Sequence, residues 1–195
     1  EPHKIITLLI EDADYDIHCS FESLSDVKLL AEKAAKKTCR RLSPRKIKTQ
    51  QCPVIFLAPV ARGLVGTFLR AINGHNIYRE SSFLRGAIGE LVFPPFFSLT
   101  QQPHEKRVLH SAPFDNEGVV TREMELVSEG RFHQYLCDSY AARRLGCQTT
   151  GNAGGAHNVY VGVSDFSLPD LLAQMHQGLL ITDLMGQGVN IINGD

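Results

Sequence analysis

Two short apolar runs joined by a tight turn constrain the fold of this chain more than any other feature. The runs Arg122–Val127 and Phe132–Cys137 flank the four-residue turn Ser-Glu-Gly-Arg at positions 128–131. Runs of strand length around a short, glycine-containing turn are typical of a β-hairpin. Similar runs at His157–Val163 and Leu179–Thr182 predict two further strands. We therefore expect a sheet in which most strands are antiparallel.

The first half of the chain has less regular strand patterns. Ile5–Ile10 and Tyr15–Phe21 are rich in β-forming residues and are separated by the acidic turn Glu-Asp-Ala-Asp, which predicts another hairpin. Pro53–Leu57 is an apolar run of strand length that leads directly into a helical pattern. The region Ser81–Thr100 is apolar but is broken by glycines and prolines, so we expect short irregular elements there.

Three segments have the apolar period of an amphipathic helix. The first is Ser25–Arg41, in which Ser25 is the expected N-cap and Ser43-Pro44 follows the end. The second extends from about Val60 to Ile72. The third begins at the capping sequence Ser-Leu-Pro-Asp and covers Ser167–Gly178. Together with the strands, these helices predict an α+β fold with a mostly antiparallel sheet and about three helices.

The composition is that of a globular protein without a strong overall charge. The chain has 195 residues, 43% of them hydrophobic, and its formal net charge is -1. This length accommodates one large or two small domains. No apolar run approaches the ~20 residues that span a bilayer, so no membrane role is expected. The five cysteines are odd in number and widely spaced, which argues against a disulfide framework and predicts a cytoplasmic protein.

The histidines and carboxylates show no motif of a self-sufficient hydrolase. No two of the eight histidines lie four or five positions apart, so the chain lacks the helix-borne histidine pair of zinc peptidases. Asp115 and Glu117 are suitably spaced for acid–base chemistry, but Asp-Asn-Glu-Gly favours an ordinary turn. A hydrolase with its centre at Asp115, Glu117 or His157 is therefore only a minor alternative.

A glycine-rich segment and a basic segment are the other candidates for binding. Residues 149–155, Thr-Thr-Gly-Asn-Ala-Gly-Gly, precede a predicted strand, and backbone amides beside glycine can bind phosphate or a peptide carbonyl. A phosphate loop needs a following helix and a lysine, so peptide docking or close backbone packing is favoured. Between Lys33 and Lys48 lie eight basic residues without interleaved aromatic residues, which favours a solvated helix end over nucleic-acid binding.

Seven segments resemble the PmbA branch, also called TldE, of the TldD/PmbA family. Each segment is weak alone, but together they have the order and spacing of the family between residues 34 and 195. The segments are Arg41–Lys46, Ala61–Gly66, Tyr78–Leu84, Pro113–Val119, Ser139–Gly146, Thr150–Asn158 and Leu184–Val189.

This resemblance implies a subunit of a two-protein cytoplasmic metallopeptidase that acts on unfolded or extended peptides. The family has also been labelled a modulator of DNA gyrase. In the TldD branch a helix carries an HExxxH zinc motif, whose histidines and glutamate align with Arg62, Thr67 and Gly63 here. None of these side chains suits zinc. The resemblance therefore implies no catalytic residue, metal site or cofactor in this chain, and zinc in a TldD-type partner.

The resemblance also implies a domain division and a set of binding residues. Residues 1–50 correspond to the end of an N-terminal domain with a connecting helix, and residues 51–195 to the start and core of a C-terminal β-rich domain. The chain is thus identified as a fragment of a longer, two-domain protein, and the formation of homodimers is left open. An alternative function is nucleic-acid or gyrase-associated binding through residues 33–48. The residues assigned to peptide or partner binding are Gly151, Asn152, Gly154, Gly155, His157 and Gln187.

Overall fold

The structure, a computed structural model, describes residues 11–162, 164–184 and 189–194. These residues form two compact units, divided in sequence between Gln50 and Gln51. No helix in the described ranges is both long enough and apolar enough to cross a membrane.

The first unit contains one long helix, α1, which covers Val27–Arg40. The Asp26 side chain caps it by accepting a hydrogen bond of 2.6 Å from the backbone N–H of Lys28. The prediction of Ser25 as N-cap was therefore wrong by one residue. The Ser25 backbone N–H instead donates to the Asp16 carboxylate at 2.8 Å.

The prediction of a strand at Tyr15–Phe21 was wrong. Its predicted partner strand, Ile5–Ile10, lies outside the described residues. Residues 11–18 have no regular secondary structure, and Phe21–Ser23 forms a short 3-10 helix. Acidic side chains of this segment pair with basic residues near the end of α1: Asp14 with Lys37 and Asp12 with Arg41, each at 2.9 Å. Side-chain contacts to a helix therefore position this segment in place of strand pairing.

The second unit contains a four-stranded antiparallel sheet and a separate pair of parallel strands. The larger sheet has the order β4-β3-β2-β5, and the pair consists of β1 and β6. The elements in chain order are β1 Val54–Phe56, α2 Ala58–Ala71, α3 Gly74–Tyr78, β2 Leu99–Gln101, β3 Met124–Ser128, β4 Arg131–Phe132, α4 Ser139–Leu145, β5 Val159–Val161, α5 Leu168–Met175 and β6 Leu179–Ile181.

The predicted hairpin is confirmed as β3 and β4, which pair through Val127 with Phe132 and Ser128 with Arg131. Its second strand covers only Arg131–Phe132, so the prediction that it extends to Cys137 was wrong. The two turn residues of the hairpin, Glu129 and Gly130, have positive φ angles of 49° and 76°. Such a turn matches the right-handed twist of the two strands. The backbone of Gly130 is also used elsewhere, because its carbonyl accepts from the N–H groups of residues 92 and 93.

The α+β prediction with a mostly antiparallel sheet is confirmed, with two additions. The parallel pairing of β1 with β6, which aligns Val54 with Leu179, was not predicted. The described residues also contain five α-helices instead of about three, because α3 and α4 are short. Asn73, which follows the predicted end of the second helix at Ile72, is the N-cap of α3, and its side chain accepts from the backbone N–H of His75.

The main core lies between α2 and the larger sheet. One face of α2 contributes Phe68 and Ala71, and its C-cap contributes Ile72; all three are buried. The Phe68 ring packs edge-on against Phe132, with centroids 5.9 Å apart. Burial of a large apolar side chain stabilises a fold by about 1.5–3 kcal/mol, so these contacts fix the rotation of α2 about its axis. The opposite face of α2 is consequently directed away from the core.

Candidate functional site

The face of α2 opposite the core borders a cavity of about 510 Å³, which we call the α2 groove. Its α2 wall combines apolar side chains, Val60 and Leu64, with two glycines, Gly63 and Gly66. A Cβ atom added to either glycine would meet no atom within 4 Å. Helix backbone is therefore accessible from the groove, between apolar side chains. The segment 182–184, which follows β6, lines the same cavity.

The three positions that align with the zinc motif lie on this helix. Gly63 and Thr67 line the α2 groove, and Arg62 is exposed on the same helix. The Thr67 hydroxyl donates to the Gly63 carbonyl oxygen at 3.2 Å and accepts from Arg70 Nη2 at 3.2 Å. This hydroxyl is thus held by the helix itself, one turn back and one turn ahead.

These residues do not fit a zinc ion. Zinc sites in proteins use thiolate, imidazole or carboxylate ligands, whereas this helix offers a guanidinium, a hydrogen and a hydroxyl. A guanidinium keeps its positive charge at any pH the protein experiences, so it repels a dication. Within the described ranges, no three His, Cys, Asp or Glu side chains converge in a way that could hold a metal.

A second cavity of about 420 Å³, the loop cavity, connects the end of α2 with the glycine-rich segment. Leu69 and Asn73 line it from α2 and the cap that follows, and Gly155 and Ala156 line it from the loop. Arg70 lines both the loop cavity and the α2 groove. Arg70 is therefore shared by the cavities that border the two candidate regions from the sequence, the helix that aligns with the zinc motif and the glycine-rich loop.

The glycine-rich loop is held by a buried amide network. Asn152 is 3% exposed, and its Nδ2 donates to Gln101 Oε1 at 2.9 Å and to the Gly155 carbonyl at 3.0 Å. Its Oδ1 accepts from the Thr150 hydroxyl at 2.8 Å. The same Gln101 oxygen accepts from the backbone N–H of His157 at 3.0 Å. Asn152 thus sets the shape of the loop from inside, and its side chain is fully engaged there.

The other assigned residues differ in what they present to solvent. Gly151 is buried, and a Cβ there would lie 2.7 Å from the Val120 carbonyl oxygen. Gly154 is exposed and has a φ of 104°, and a Cβ there would overlap the Asn116 side chain. The half-buried His157 ring approaches the Gly151 carbonyl through Nε2 at 3.1 Å. Gln187 lies outside the described residues.

The turn at Asp115 is confirmed as a structural device. Asp115 Oδ1 accepts from the N–H groups of Glu117 and Val119, and Oδ2 accepts from the N–H of Ala153, each at 2.9 Å. Burial acts to raise the pKa of this carboxyl, but the three N–H donors outweigh it and lower the pKa below its ordinary value of 3.8. The ionised carboxylate therefore ties the turn to the glycine-rich loop.

A side-chain cluster between α3 and α4 was not predicted from the sequence. His75 Nε2 lies 2.6 Å from Asp138 Oδ2, and the imidazole stacks on Tyr140 with centroids 6.0 Å apart. Asp138 also caps α4 by accepting from the N–H of Ala141 at 2.7 Å. Nearby, burial raises the pKa of the Cys137 thiol to about 12, with a further contribution from Cys147, so this thiol is protonated at neutral pH. The contacts of Asp138 therefore hold the start of α4 against α3.

Comparison with known proteins places this fold among those of proteins described as candidate modulators of DNA gyrase. One from Thermotoga maritima has a TM-score of 0.81 and 29% identity, covering 89% of this chain and 42% of that one. TldE from Thermococcus kodakarensis has a TM-score of 0.69 and 28% identity, covering 84% of this chain and 39% of that one.

The chain belongs to the PmbA/TldD metallopeptidase family. Residues 49–195 match the family described as PmbA/TldA metallopeptidase C-terminal domain. The Metalloprotease PmbA homolog of Haemophilus influenzae is 46% identical over 96% of this chain and 42% of that protein. A Metalloprotease TldD homolog of the same organism is 28% identical over 85% of this chain and 37% of that protein. The chain therefore spans about two fifths of the length of its curated relatives.

Proposed function

We propose that this chain is part of a PmbA/TldE-type subunit of a TldD/TldE metallopeptidase complex, in which it binds peptide without catalysing its hydrolysis. The observation that carries the proposal is the α2 groove. Its helix aligns with the zinc helix of the TldD branch, yet presents Arg62, Gly63 and Thr67 where a metal site needs imidazole and carboxylate. A groove whose helix aligns with the zinc helix, but has no zinc ligand at the three aligned positions, suits peptide binding without hydrolysis.

The proposed division of labour assigns zinc and water activation to a TldD-type partner. Activation of water at neutral pH requires a metal ion or a positioned base. The presence of both a PmbA and a TldD homologue in Haemophilus influenzae supports two cooperating proteins. We further propose a cytoplasmic complex, in which residues 1–50 end an N-terminal domain and residues 51–195 start a C-terminal one. The two compact units and the family match from residue 49 support this division.

The proposed ligand is an unfolded or extended peptide that follows α2 towards the glycine-rich loop. The α2 groove has the volume of typical ligand sites, which is about 300–1,000 Å³. At the loop end, Gly155 lines the second cavity and Gly154 is exposed, so a peptide backbone can approach closely. Asn152 and His157 are proposed to shape this surface. Gln187 keeps its proposed binding role from the resemblance alone.

Reconstitution tests the proposal. Cleavage of an unstructured peptide is measured with the full-length protein alone, with a TldD-type partner alone, and with both. We expect chelator-sensitive cleavage only with both proteins, loss of cleavage when the glutamate of the partner's HExxxH motif is replaced, and retention when Arg62→Ala is introduced here. Cleavage by this protein alone that survives repurification, and that one of its own substitutions abolishes, would contradict a non-catalytic role.

The rival function, nucleic-acid binding through residues 33–48, has a weaker basis. Two of the basic residues, Lys37 and Arg41, form ion pairs with aspartates of their own unit. Neutralisation of phosphates makes affinity fall steeply with salt. We expect that replacing Lys36, Lys37, Arg40 and Arg41 by glutamine leaves peptide cleavage by the complex unchanged. Salt-sensitive DNA binding by the unmodified protein, lost in this variant, would instead favour the rival.

A further inference from the structure

Arg70 lies where the α2 groove and the loop cavity adjoin, because it is a lining residue of both. It lies in the last turn of α2 and is exposed. A cation near a helix C-terminus is favoured by the helix dipole, which accounts for a basic residue in this turn. The dipole does not account for the position of this arginine between two cavities, with its guanidinium beside Thr67 of the α2 groove.

The guanidinium of Arg70 has donors to spare. It carries five N–H donors, and the described residues accept from it at one atom, the Thr67 hydroxyl oxygen at 3.2 Å. No carboxylate within the described ranges lies within 4 Å of it, although other arginines, such as Arg85, do form such ion pairs. Asp183, which also lines the α2 groove, accepts from the backbone N–H of Leu184. The positive charge at the junction is therefore not neutralised by an ion pair among these residues.

The surroundings of Arg70 define the ligand that would complement it. Apolar side chains border both cavities, with Leu64 on the α2 groove and Leu69 and Leu136 on the loop cavity. Apolar walls around Arg70 suit a ligand that is largely uncharged and carries an anionic group for the guanidinium, while Asp183 in the α2 groove disfavours further anionic groups there. A planar guanidinium matches a carboxylate particularly well, because two parallel N–H···O bonds can form.

We propose that Arg70 binds a carboxylate of the peptide that occupies the α2 groove. This inference rests on the proposed function and adds to it a substrate class: extended peptides that carry a carboxylate at the junction of the two cavities. The carboxylate is either the C-terminal group of the peptide or an Asp or Glu side chain within it. Both sources present the same chemistry to the guanidinium.

Equilibrium binding of four fluorescein-labelled hexapeptides to the full-length protein in complex with its TldD-type partner tests the inference. The partner carries a substitution of its zinc-motif glutamate, so that the peptides stay intact. The peptides have an alanine–serine sequence with a free C-terminus, the same sequence amidated, an amidated form with one internal Glu, and an amidated form with Gln at that position. These arms separate a terminal carboxylate from a side-chain carboxylate.

We expect at least one carboxylate peptide to bind about tenfold more tightly than its neutral counterpart, as is typical of a hydrogen-bonded ion pair. Arg70→Gln should remove this preference, and Arg70→Lys should restore part of it because it keeps the charge but loses the paired N–H geometry. Arg143→Gln, which removes an exposed arginine from the last turn of α4, is the matched control and should leave the preference intact. Unchanged melting temperatures show that each variant is folded.

The outcomes separate the two proposals. Equal affinity for all four peptides, or a carboxylate preference that survives Arg70→Gln, overturns the role of Arg70 and leaves peptide binding by the α2 groove standing. Failure of all four peptides to bind the complex overturns the proposed function, and the role of Arg70 falls with it. Loss of the preference in Arg143→Gln as well as Arg70→Gln would show a general charge effect and would also refute the assignment.

Discussion

Replacement of Asn152 by alanine is the sharpest test of how the glycine-rich loop is held. The side chain is 3% exposed and makes hydrogen bonds to Gln101, Gly155 and Thr150 at 2.8–3.0 Å. Alanine removes all three bonds and leaves the Gly155 carbonyl without this donor. Every buried side-chain nitrogen or oxygen in the described residues has a hydrogen-bond partner, so the unmodified protein has no unsatisfied side-chain group in this network.

The expected loss follows from the number of bonds. A hydrogen bond contributes a net ~0.5–1.5 kcal/mol, and an orphaned buried group costs about 1–3 kcal/mol. We therefore expect Asn152→Ala to lower the free energy of unfolding by about 2–4 kcal/mol. For a domain of this size, that corresponds to a melting temperature lower by about 5–15 °C. The cost arises inside the loop, so local opening should increase there first.

Thermal unfolding and amide hydrogen exchange of the full-length protein measure the two effects. Asn116→Ala is the matched control, because Asn116 is exposed and lies beside the same loop. It should change the stability by less than about 0.5 kcal/mol. In Asn152→Ala, exchange in peptides covering residues 150–158 should rise by more than exchange in β3. Stability within 0.5 kcal/mol of the unmodified protein, with unchanged exchange in the loop, would refute the reasoning.

Three further predictions concern the turn, the acidic residues and the metal content. Gly130→Ala should lower the free energy of unfolding by more than about 3 kcal/mol, because a Cβ would overlap the Phe93 carbonyl oxygen. Gly86→Ala, at a similar φ of 79° but with open space around it, should lower it by about 1–2 kcal/mol, and denaturant unfolding measures both. The pKa of Asp115 is lowered in the folded state, so its carboxylate stabilises the fold above pH 3.8, and this stabilisation is lost as the pH falls through the folded pKa. When unfolding is measured from pH 6 to pH 2, the free energy of unfolding should therefore fall less steeply with pH in Asp115→Asn than in the unmodified protein. The full-length protein purified alone should contain far less than one zinc per chain, and elemental analysis showing about one would contradict the fit argument at Arg62, Gly63 and Thr67.

Elements specified by neighbouring residues were predictable from the sequence. The β3–β4 hairpin depends on a turn of two residues, and α5 depends on Ser167 and Asp170, which cap it reciprocally. The pattern predicted for α2 at Val60–Ile72 matches the observed Ala58–Ala71 to within two residues at either end. In each case the residues that specify the element are close to one another in sequence.

Short helices, and a segment held by side-chain contacts, were not predicted from the sequence. α3 and α4 have five and seven residues, too few to show a helical period, and each begins at a side-chain cap. Tyr15–Phe21 was predicted as a strand from its β-forming residues, but it pairs with no strand among the described residues. Instead, Asp14 just before it binds Lys37 of α1, and Asp16 within it accepts from the backbone N–H of Ser25. Propensity was overridden there by side-chain contacts.

The candidate site was predictable only in part. Alignment with the zinc motif identified α2, and glycine content identified the loop at residues 150–155. Their convergence at Arg70 depends on residues far apart in sequence, such as Asn73, Leu136 and Ile191 around the loop cavity. Asn152 shows the same limit: the resemblance assigned it to peptide or partner binding, and nothing in the sequence indicated that its side chain is buried against Gln101. No local pattern indicates which face of an element its tertiary neighbours will cover.

The parallel pairing of β1 with β6 has a consequence for biosynthesis. Val54 leaves the ribosome about 125 residues before its partner Leu179, and at about 5–20 residues per second this is a delay of roughly 6–25 s. Throughout that interval the backbone groups of β1 that pair with β6 must remain unpaired or find another partner. The second unit therefore cannot complete its native pairing cotranslationally until residue 181 has emerged, and nascent-chain chaperones would find β1 among its latest-protected segments.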